Sequence, residues 1–322
     1  GDYCMTQPIV LDWEKISSLL DQIEIHEPMK QAFIEYSNGN AEIPPVGELL
    51  FEEPPGEVHI KYGYIKGGSF YVIKIASGFS GNNQLGVKPG QGMMLLFDIV
   101  TGIPKAILID QANLTDLRTG IAGAMASVLL ANEGTESVAI IGNGVQARYQ
   151  ARCLMELMPI KIINVWGRDK EKSKKLQQDL SDLDAELLIH EDLADVIKQN
   201  KLIITTTSSK KAIIQSNWVQ PGTHITAVGS DTPEKCELDS DILSRADIVV
   251  ADSIPQNQLR GEIHQALKKG TIQPNELVEI GQIFEGSAQG RNHFDQITVA
   301  DLTGVAVQDL VIAEAVYKVA IS

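Results

Sequence analysis

Apolar residues recur at helical spacing over 16–36, which predicts one or two helices near the start of the chain. Pro44-Pro45 and Pro54-Pro55-Gly56 then punctuate a loop-rich stretch. Positions 58–65 and 69–75 alternate apolar with polar and predict paired strands around Lys66-Gly67-Gly68. The five glycines from Gly78 to Gly92 predict a loop, and 93–98 with 104–109 predict a hairpin across Val100-Thr101-Gly102. Residues 114–131 are rich in alanine and other small side chains and predict a long helix, with Thr115 as its cap.

From position 137 the rhythm changes. Short apolar runs at 137–141, 162–166, 186–189, 202–206, 224–227 and 247–251 predict strands. Helical patterns, for example 170–180 and 193–198, fall between most of them. Alternation of this kind gives a parallel sheet covered on both faces. A final amphipathic helix over 305–319 is expected to pack back on the first part of the chain. There is no internal repeat and no low-complexity segment.

The first strand of the alternating half carries chemistry. Val138-Ala139-Ile140-Ile141 runs into Gly142-Asn143-Gly144-Val145-Gln146-Ala147, and 148–157 reads as a helix. A G-x-G-x-x-A turn between strand and helix is the pattern of a dinucleotide pyrophosphate site. Gly142 allows the tight turn and Gly144 lets the backbone approach phosphate. Ala147 lets the helix pack against the strand, and the helix N-terminus faces the negative charge. Val145 and Gln146, in the same turn, are counted with them as cofactor-binding. The fold class is therefore α/β. A Rossmann-type doubly wound parallel-sheet domain, 130–304, is inserted in an α+β domain built from both chain ends, 1–129 and 305–322.

Composition narrows the partners. The 322 residues are 43% hydrophobic, enough for two domains with cores of their own. A net charge of −15 argues against nucleic acid and anionic membrane. No apolar run reaches the roughly 18 residues of a transmembrane helix. No basic region followed by an apolar stretch opens the chain, so no signal peptide is expected, and Met5 reads as a natural start. Cys4, Cys153 and Cys236 are isolated and the histidines are scattered, so neither a disulfide framework nor a metal site is expected. A reducing cytoplasm is the simplest location.

Further motifs carry a resemblance. Leu114-Thr115-Asp116-Leu117-Arg118-Thr119-Gly120 is similar to the L-T-x-x-R-T-A helix start of the ornithine cyclodeaminase/mu-crystallin family, and the glycine loop follows at the family's distance. Trp218-Val219-Gln220-Pro221-Gly222-Thr223-His224, Ala227-Val228-Gly229-Ser230-Asp231 and Lys235-Cys236-Glu237-Leu238-Asp239 match in order. So do Arg260-Gly261-Glu262 and Ile297-Thr298-Val299. The likeness runs from about residue 40 to the end.

This resemblance implies a homodimer paired through the sheet of the α+β domain, which is then a substrate-binding and dimerisation domain, with active sites between domains. It also implies hydride transfer at the α-carbon of an amino or imino acid. Branches of the family include ornithine cyclodeaminases, alanine dehydrogenases, ketimine and cyclic imine reductases, an iminosuccinate reductase and ligand-binding crystallins.

Residue by residue, Lys74 matches the family lysine that anchors the substrate carboxylate, and its strand neighbours Val72 and Ala76 share its face. Arg118 matches an arginine used for both substrate and cofactor, suited to a bidentate carboxylate contact. Thr119 can donate to phosphate or ribose. Asp231 follows a strand end at the crevice where open α/β sheets bind ligands, and matches an aspartate that handles the substrate amine and its protons. Lys235 and Val228 match positions near the cofactor, and Thr206, with Thr207 and Ser208, ends a strand at the same crevice. Thr303, in Asp301-Leu302-Thr303-Gly304, is placed by resemblance beside substrate or nicotinamide.

Two departures shape the expected specificity. The second nucleotide strand ends Val165-Trp166-Gly167-Arg168, with glycine where NAD enzymes often carry an acid for the ribose hydroxyls. A missing acid next to Arg168 favours the 2′-phosphate of NADP, although Asp169 and Lys170 leave NAD open. Cyclodeaminases carry a glutamate on the strand before the lysine, and here the comparable position falls near Lys61. The upstream arginine that helps bind the carboxylate is also missing from 46–50. With Lys74 and Arg118, Lys61 points to an acidic amino or imino acid by charge complementarity. Three activities are consistent with these residues. The leading one is NAD(P)-dependent reduction of a small 2-imino acid, or its reverse. Next is true ornithine cyclodeamination, with NAD+ recycled, and last is non-catalytic binding of a small molecule.

Overall fold

The computed structural model describes residues 7–322. Cys4 and Met5, singled out above, lie outside the described residues. The chain divides into two compact units, one ending at Arg118 and completed by Val305–Ser322, the other Thr119–Gly304. The fold is α/β, with a Rossmann-type parallel sheet in the second unit.

The first unit opens with β1 (Ile9–Asp12), α1 (Trp13–Leu19) and α2 (His26–Ser37). Strands β2 (Ala41–Glu42), β3 (Gly47–Phe51), β4 (Gly56–Ile65), β5 (Phe70–Gly78), β6 (Gly90–Asp98) and β7 (Pro104–Ile109) follow. The sheet runs β1-β7-β6-β5-β4-β2, with β3 also on β4. Only β1 is parallel to its neighbour; the rest pair antiparallel. The expected loop over 78–92 is shorter than predicted, because β6 starts at Gly90 and pairs back to Gly78. Glycine is permitted there by close packing: a side chain on Gly92 would meet the Ile75 carbonyl at 2.4 Å.

Period-two alternation splits this sheet into two rows. Lys61, Lys74, Met94, Leu108 and Leu11 are register partners across it, and all are buried. The adjacent row, Tyr62, Ile73, Leu95, Ile107 and Val10, lies on the opposite face. Its ends are open, with Tyr62 at 37% and Val10 at 59% exposure.

Helix α3 (Asn113–Leu130) spans the division between the units. Its start differs from the expected one. Thr115 lies inside the helix, and the Asp110 carboxylate takes the capping role by accepting from the Leu114 amide at 2.9 Å. The reason is the turn before it: Gln111 and Ala112 both adopt positive φ, 53° and 61°, which aims the Asp110 side chain at the first turn.

The second unit continues with β8 (Ser137–Ile141), α4 (Val145–Leu157), β9 (Ile162–Trp166), α5 (Lys170–Asp179), β10 (Glu186–His190) and α6 (Leu193–Gln199). Then come β11 (Leu202–Thr205), β12 (His224–Ala227), α7 (Ser240–Arg245), β13 (Ile248–Ala251), α8 (Ile254–Asn257) and α9 (Glu262–Lys269). It closes with β14 (Leu277–Glu279), α10 (Ile280–Glu285) and β15 (Thr298–Asp301). All strands are parallel, in the order β10-β9-β8-β11-β12-β15-β13-β14. The sheet core is built from Ile141, Ile203, Ile225, Val249 and Val299. Aspartates cap the helices that follow the strands: Asp169 on α5, Asp192 on α6 and Asp239 on α7. The order reverses between β8 and β11, so a crevice opens at their carboxyl ends.

The chain ends in α11 (Ala306–Ile321), which belongs to the first unit and packs on α2, β4 and β5. Val305 and Val307 join Ala32 of α2 in a small core cluster.

Candidate active site

In the second unit, the loops after β8, β9 and β11 line a cavity of about 650 Å³. Gly142 has φ +119°, and a Cβ there would stand 2.3 Å from the Thr206 hydroxyl. That hydroxyl is tied to the Ile141 carbonyl at 3.1 Å, so Thr206 locks the turn from the neighbouring strand. A Cβ on Gly144 would meet nothing within 4 Å, which leaves the backbone open to a ligand. Gly144 precedes α4 with no side-chain cap, so the first-turn amides are available to an anion. Arg148 binds the Asn143 and Gly144 carbonyls at 3.1 and 2.8 Å, holding the loop in shape. Val145 is exposed at the helix start, Gln146 accepts from Gln150 at 2.8 Å, and Ala147 is fully buried. Val228 is buried, with its amide on the Thr205 carbonyl. Thr119 is half-buried and its carbonyl accepts from Gln150.

The same cavity is rich in cations. Arg168, Lys172, Lys210 and Lys211 line it, and none forms an ion pair among the described residues. Its one acidic lining residue, Asp169, is occupied in capping α5. Gly167 carries no side chain because the Asn143 amide fills the space, 2.1 Å from where a Cβ would stand. These residues fit a dinucleotide: an open glycine turn, a helix N-terminus and uncompensated positive charge.

On the far side of the β11 and β12 ends, Asp231 pairs with Lys235 at 2.8 Å, and its side chain is 42% exposed. The Asp231 carbonyl accepts from Arg260 at 3.2 Å. Beneath lies a group of buried carboxyls. Glu237 accepts from the Thr205 and Thr207 hydroxyls and from the Thr207 and Gly229 amides at 2.7–3.0 Å. Burial pushes it up to about 7. Glu262 accepts from the Glu237 and Leu238 amides and is raised well above the usual range by burial and by Glu237. Thr303 is buried, and its hydroxyl accepts from Gln256 at 2.8 Å and faces Asp252 and Asn257.

In the first unit the cations converge. Lys61 and Lys74 are direct cross-strand partners. Arg118 Nε donates to Asp309 Oδ1 of α11 at 2.8 Å, and Lys74 Nζ stands 3.5 Å from Asp309 Oδ2. All four are buried. Burial lowers the Lys74 ammonium to about 8, opposed by Asp309 and reinforced by Arg118. Asp309 is held below its usual value by Arg118, Lys74 and Lys61, which outweigh its burial. Lys88 donates to the Gln111 carbonyl, to Asn113 and to Asp116, securing the strained turn ahead of α3.

The sequence singles out Lys61, Lys74, Arg118 and Asp231 as site residues, and does not single out Asp309, Glu237 or the lysines 172, 210 and 211. Asp309 did leave a signal, an acid set within the apolar run of α11.

The model of the Ornithine cyclodeaminase/mu-crystallin family matches residues 6–322. Among solved structures, an archaeal alanine dehydrogenase dimer with bound NAD is 30% identical, with a TM-score of 0.90 over 98% of this chain and 97% of that one. The Δ1-pyrroline-2-carboxylate reductase of Thermococcus litoralis, in complex with NADH and L-proline, is 26% identical, with a TM-score of 0.91 over 97% of each chain. The iminosuccinate reductase of Paracoccus denitrificans, in complex with NAD+, is 26% identical, with a TM-score of 0.87 over 98% of this chain and 97% of that one.

Proposed function

The chain belongs to the ornithine cyclodeaminase/mu-crystallin family, and on that premise we propose that it is an NAD(P)-dependent oxidoreductase acting at the α-carbon of a small 2-imino acid or the matching amino acid. The observation that carries this is the buried cation group of the first unit. The Lys74 ammonium is buried, and the carboxylate oxygen paired with it, Asp309 Oδ2, stands 3.5 Å away. A buried ammonium left short of acceptors is costly unless a ligand supplies them. A carboxylate does so, with Arg118 as its second partner. Asp231 serves the substrate nitrogen, giving or taking its proton, and Lys235 holds that carboxylate in place. Bound NAD(P)H supplies the hydride.

The cofactor preferred is NADP. Arg168, Lys172, Lys210 and Lys211 offer a 2′-phosphate more positive charge than the pyrophosphate needs, and Gly167 offers no acid to a ribose diol. The substrate is anionic beyond its α-carboxylate, since Lys61 adds a third buried cation where cyclodeaminases hold a glutamate. Lys61 likewise disfavours ornithine, whose far amine it would repel. The assembly is a homodimer, closed over the apolar row Tyr62, Ile73, Leu95, Ile107 and Val10.

The test is oxidation of NADPH and NADH, followed by absorbance, with Δ1-pyrroline-2-carboxylate and with ammonia plus pyruvate or oxaloacetate. Faster consumption with the dicarboxylate and NADPH is expected. No consumption across the panel, with proline formed from ornithine, would move the protein to the cyclodeaminases.

A further inference from the structure

Asp309 touches both Lys74 and Arg118. It projects from α11 and is fully buried. One carboxylate oxygen accepts from Arg118 Nε at 2.8 Å; the other lies opposite Lys74 at 3.5 Å and accepts no hydrogen bond. Charge-assisted hydrogen bonds usually close to about 2.7–2.9 Å. Here the arginine contact is closed and the lysine contact is open, so the ammonium keeps donors for a third party.

We propose that Asp309 is the positioning residue of this cationic seat: it fixes the Arg118 fork, keeps Lys74 ionised without saturating it, and so presents both cations together to a substrate carboxylate. This rests on the proposed role of Lys74 and Arg118 as carboxylate ligands. Asp309 itself touches no substrate. Around Lys74 the other charged groups are Arg118 and Asp116 on α3, Asp110 ahead of it, and Lys61 on β4. Arg118 opposes the charge on Lys74, and Lys61 adds a like charge across the strand pair. Asp110 is buried and raised, which weakens its support. Asp309 is the strongest favourable influence on the ammonium.

The experiment reads Lys74 directly and needs no substrate. Lysine labelled with carbon-13 at Cε is incorporated, and the Lys74 resonance is identified by its loss in Lys74→Arg. In the wild type it should titrate at about 8. In Asp309→Asn, a near-isosteric change, it should titrate about 1–3 units lower. An unchanged midpoint overturns the proposal. Asp309→Glu keeps the charge while moving it, and serves if the asparagine variant does not fold. Lys74 should then still titrate near its wild-type value, and a fall like that expected for Asn overturns the proposal.

Kinetics with Δ1-pyrroline-2-carboxylate at neutral pH separate this from the reading beneath it. A rise in KM of tenfold or more in both Asp309→Asn and Lys74→Met, with kcat changed far less, supports both. A shifted Lys74 titration with KM unmoved in both variants supports the pairing and overturns the carboxylate seat.

Discussion

Lys74 gives the most direct handle on the chemistry. Its ammonium titrates at about 8 in the folded chain, so the seat is fully cationic below that pH and loses a charge above it. Binding of a carboxylate substrate should therefore weaken as pH rises through about 8, read as a rising KM. The stability term has the opposite sense. Because the folded value lies below the usual 10.5, the unfolded chain binds the extra proton between the two values. Stability contributed at this site therefore rises with pH across that window. Truncating Lys74 to Met should cost about 10- to 100-fold in kcat/KM, the worth of one charged hydrogen bond. Lys61→Glu should turn preference from anionic toward cationic substrates, measured as the ratio of kcat/KM for a dicarboxylic imine over a diamino acid. An unchanged ratio would remove Lys61 from the pocket.

At the scale of elements, the strand ends depend on Glu237. One carboxylate gathers four donors from the ends of β11 and β12, next to Thr206 on one side and Asp231 on the other. Glu237→Gln replaces an acceptor by an amide that must face at least one donor. It should destabilise the second unit by about 1–3 kcal/mol, read by chemical denaturation. Its folded value of about 7 lies above the usual 4.5, so the wild-type contribution falls as pH rises from 4.5 to 7. In the cavity, replacing Arg168 and Lys172 by alanine should lower kcat/KM for NADPH about tenfold or more while sparing NADH.

Elements also mark what the chain discloses. Most of the parallel strands are short unbroken apolar runs set between helical patterns, and the glycine turn is local, so both are legible residue by residue. Strands β14 and β15 are short and separated by a helix and a loop, so β15 enters the sheet between β12 and β13 without a local cue. The start of α3 is not legible in the sequence because its cap, Asp110, acts across two residues with positive φ. Asp309 lies far along the chain from Lys74 and Arg118, and the return of α11 to the first sheet unites them.

For the whole molecule, the sheet of the first unit has one row of side chains that α11 does not cover. Tyr62, Ile73, Leu95, Ile107 and Val10 form a continuous apolar stripe, the kind of contiguous apolar surface that marks an interaction site. Leu95→Arg should convert the proposed homodimer to a monomer in sedimentation velocity. A variant that still sediments as the wild type would move the interface elsewhere.

The proposed activity stands or falls on hydride transfer to the α-carbon of an imino acid. Reduction of Δ1-pyrroline-2-carboxylate, or of oxaloacetate with ammonia, by a reduced nicotinamide cofactor carrying deuterium at both C4 positions puts this step to the test. The expected product is an amino acid carrying one deuteron at Cα, formed with equal loss of reduced cofactor. Product without deuterium, or proline released from ornithine with the cofactor unconsumed, would contradict it.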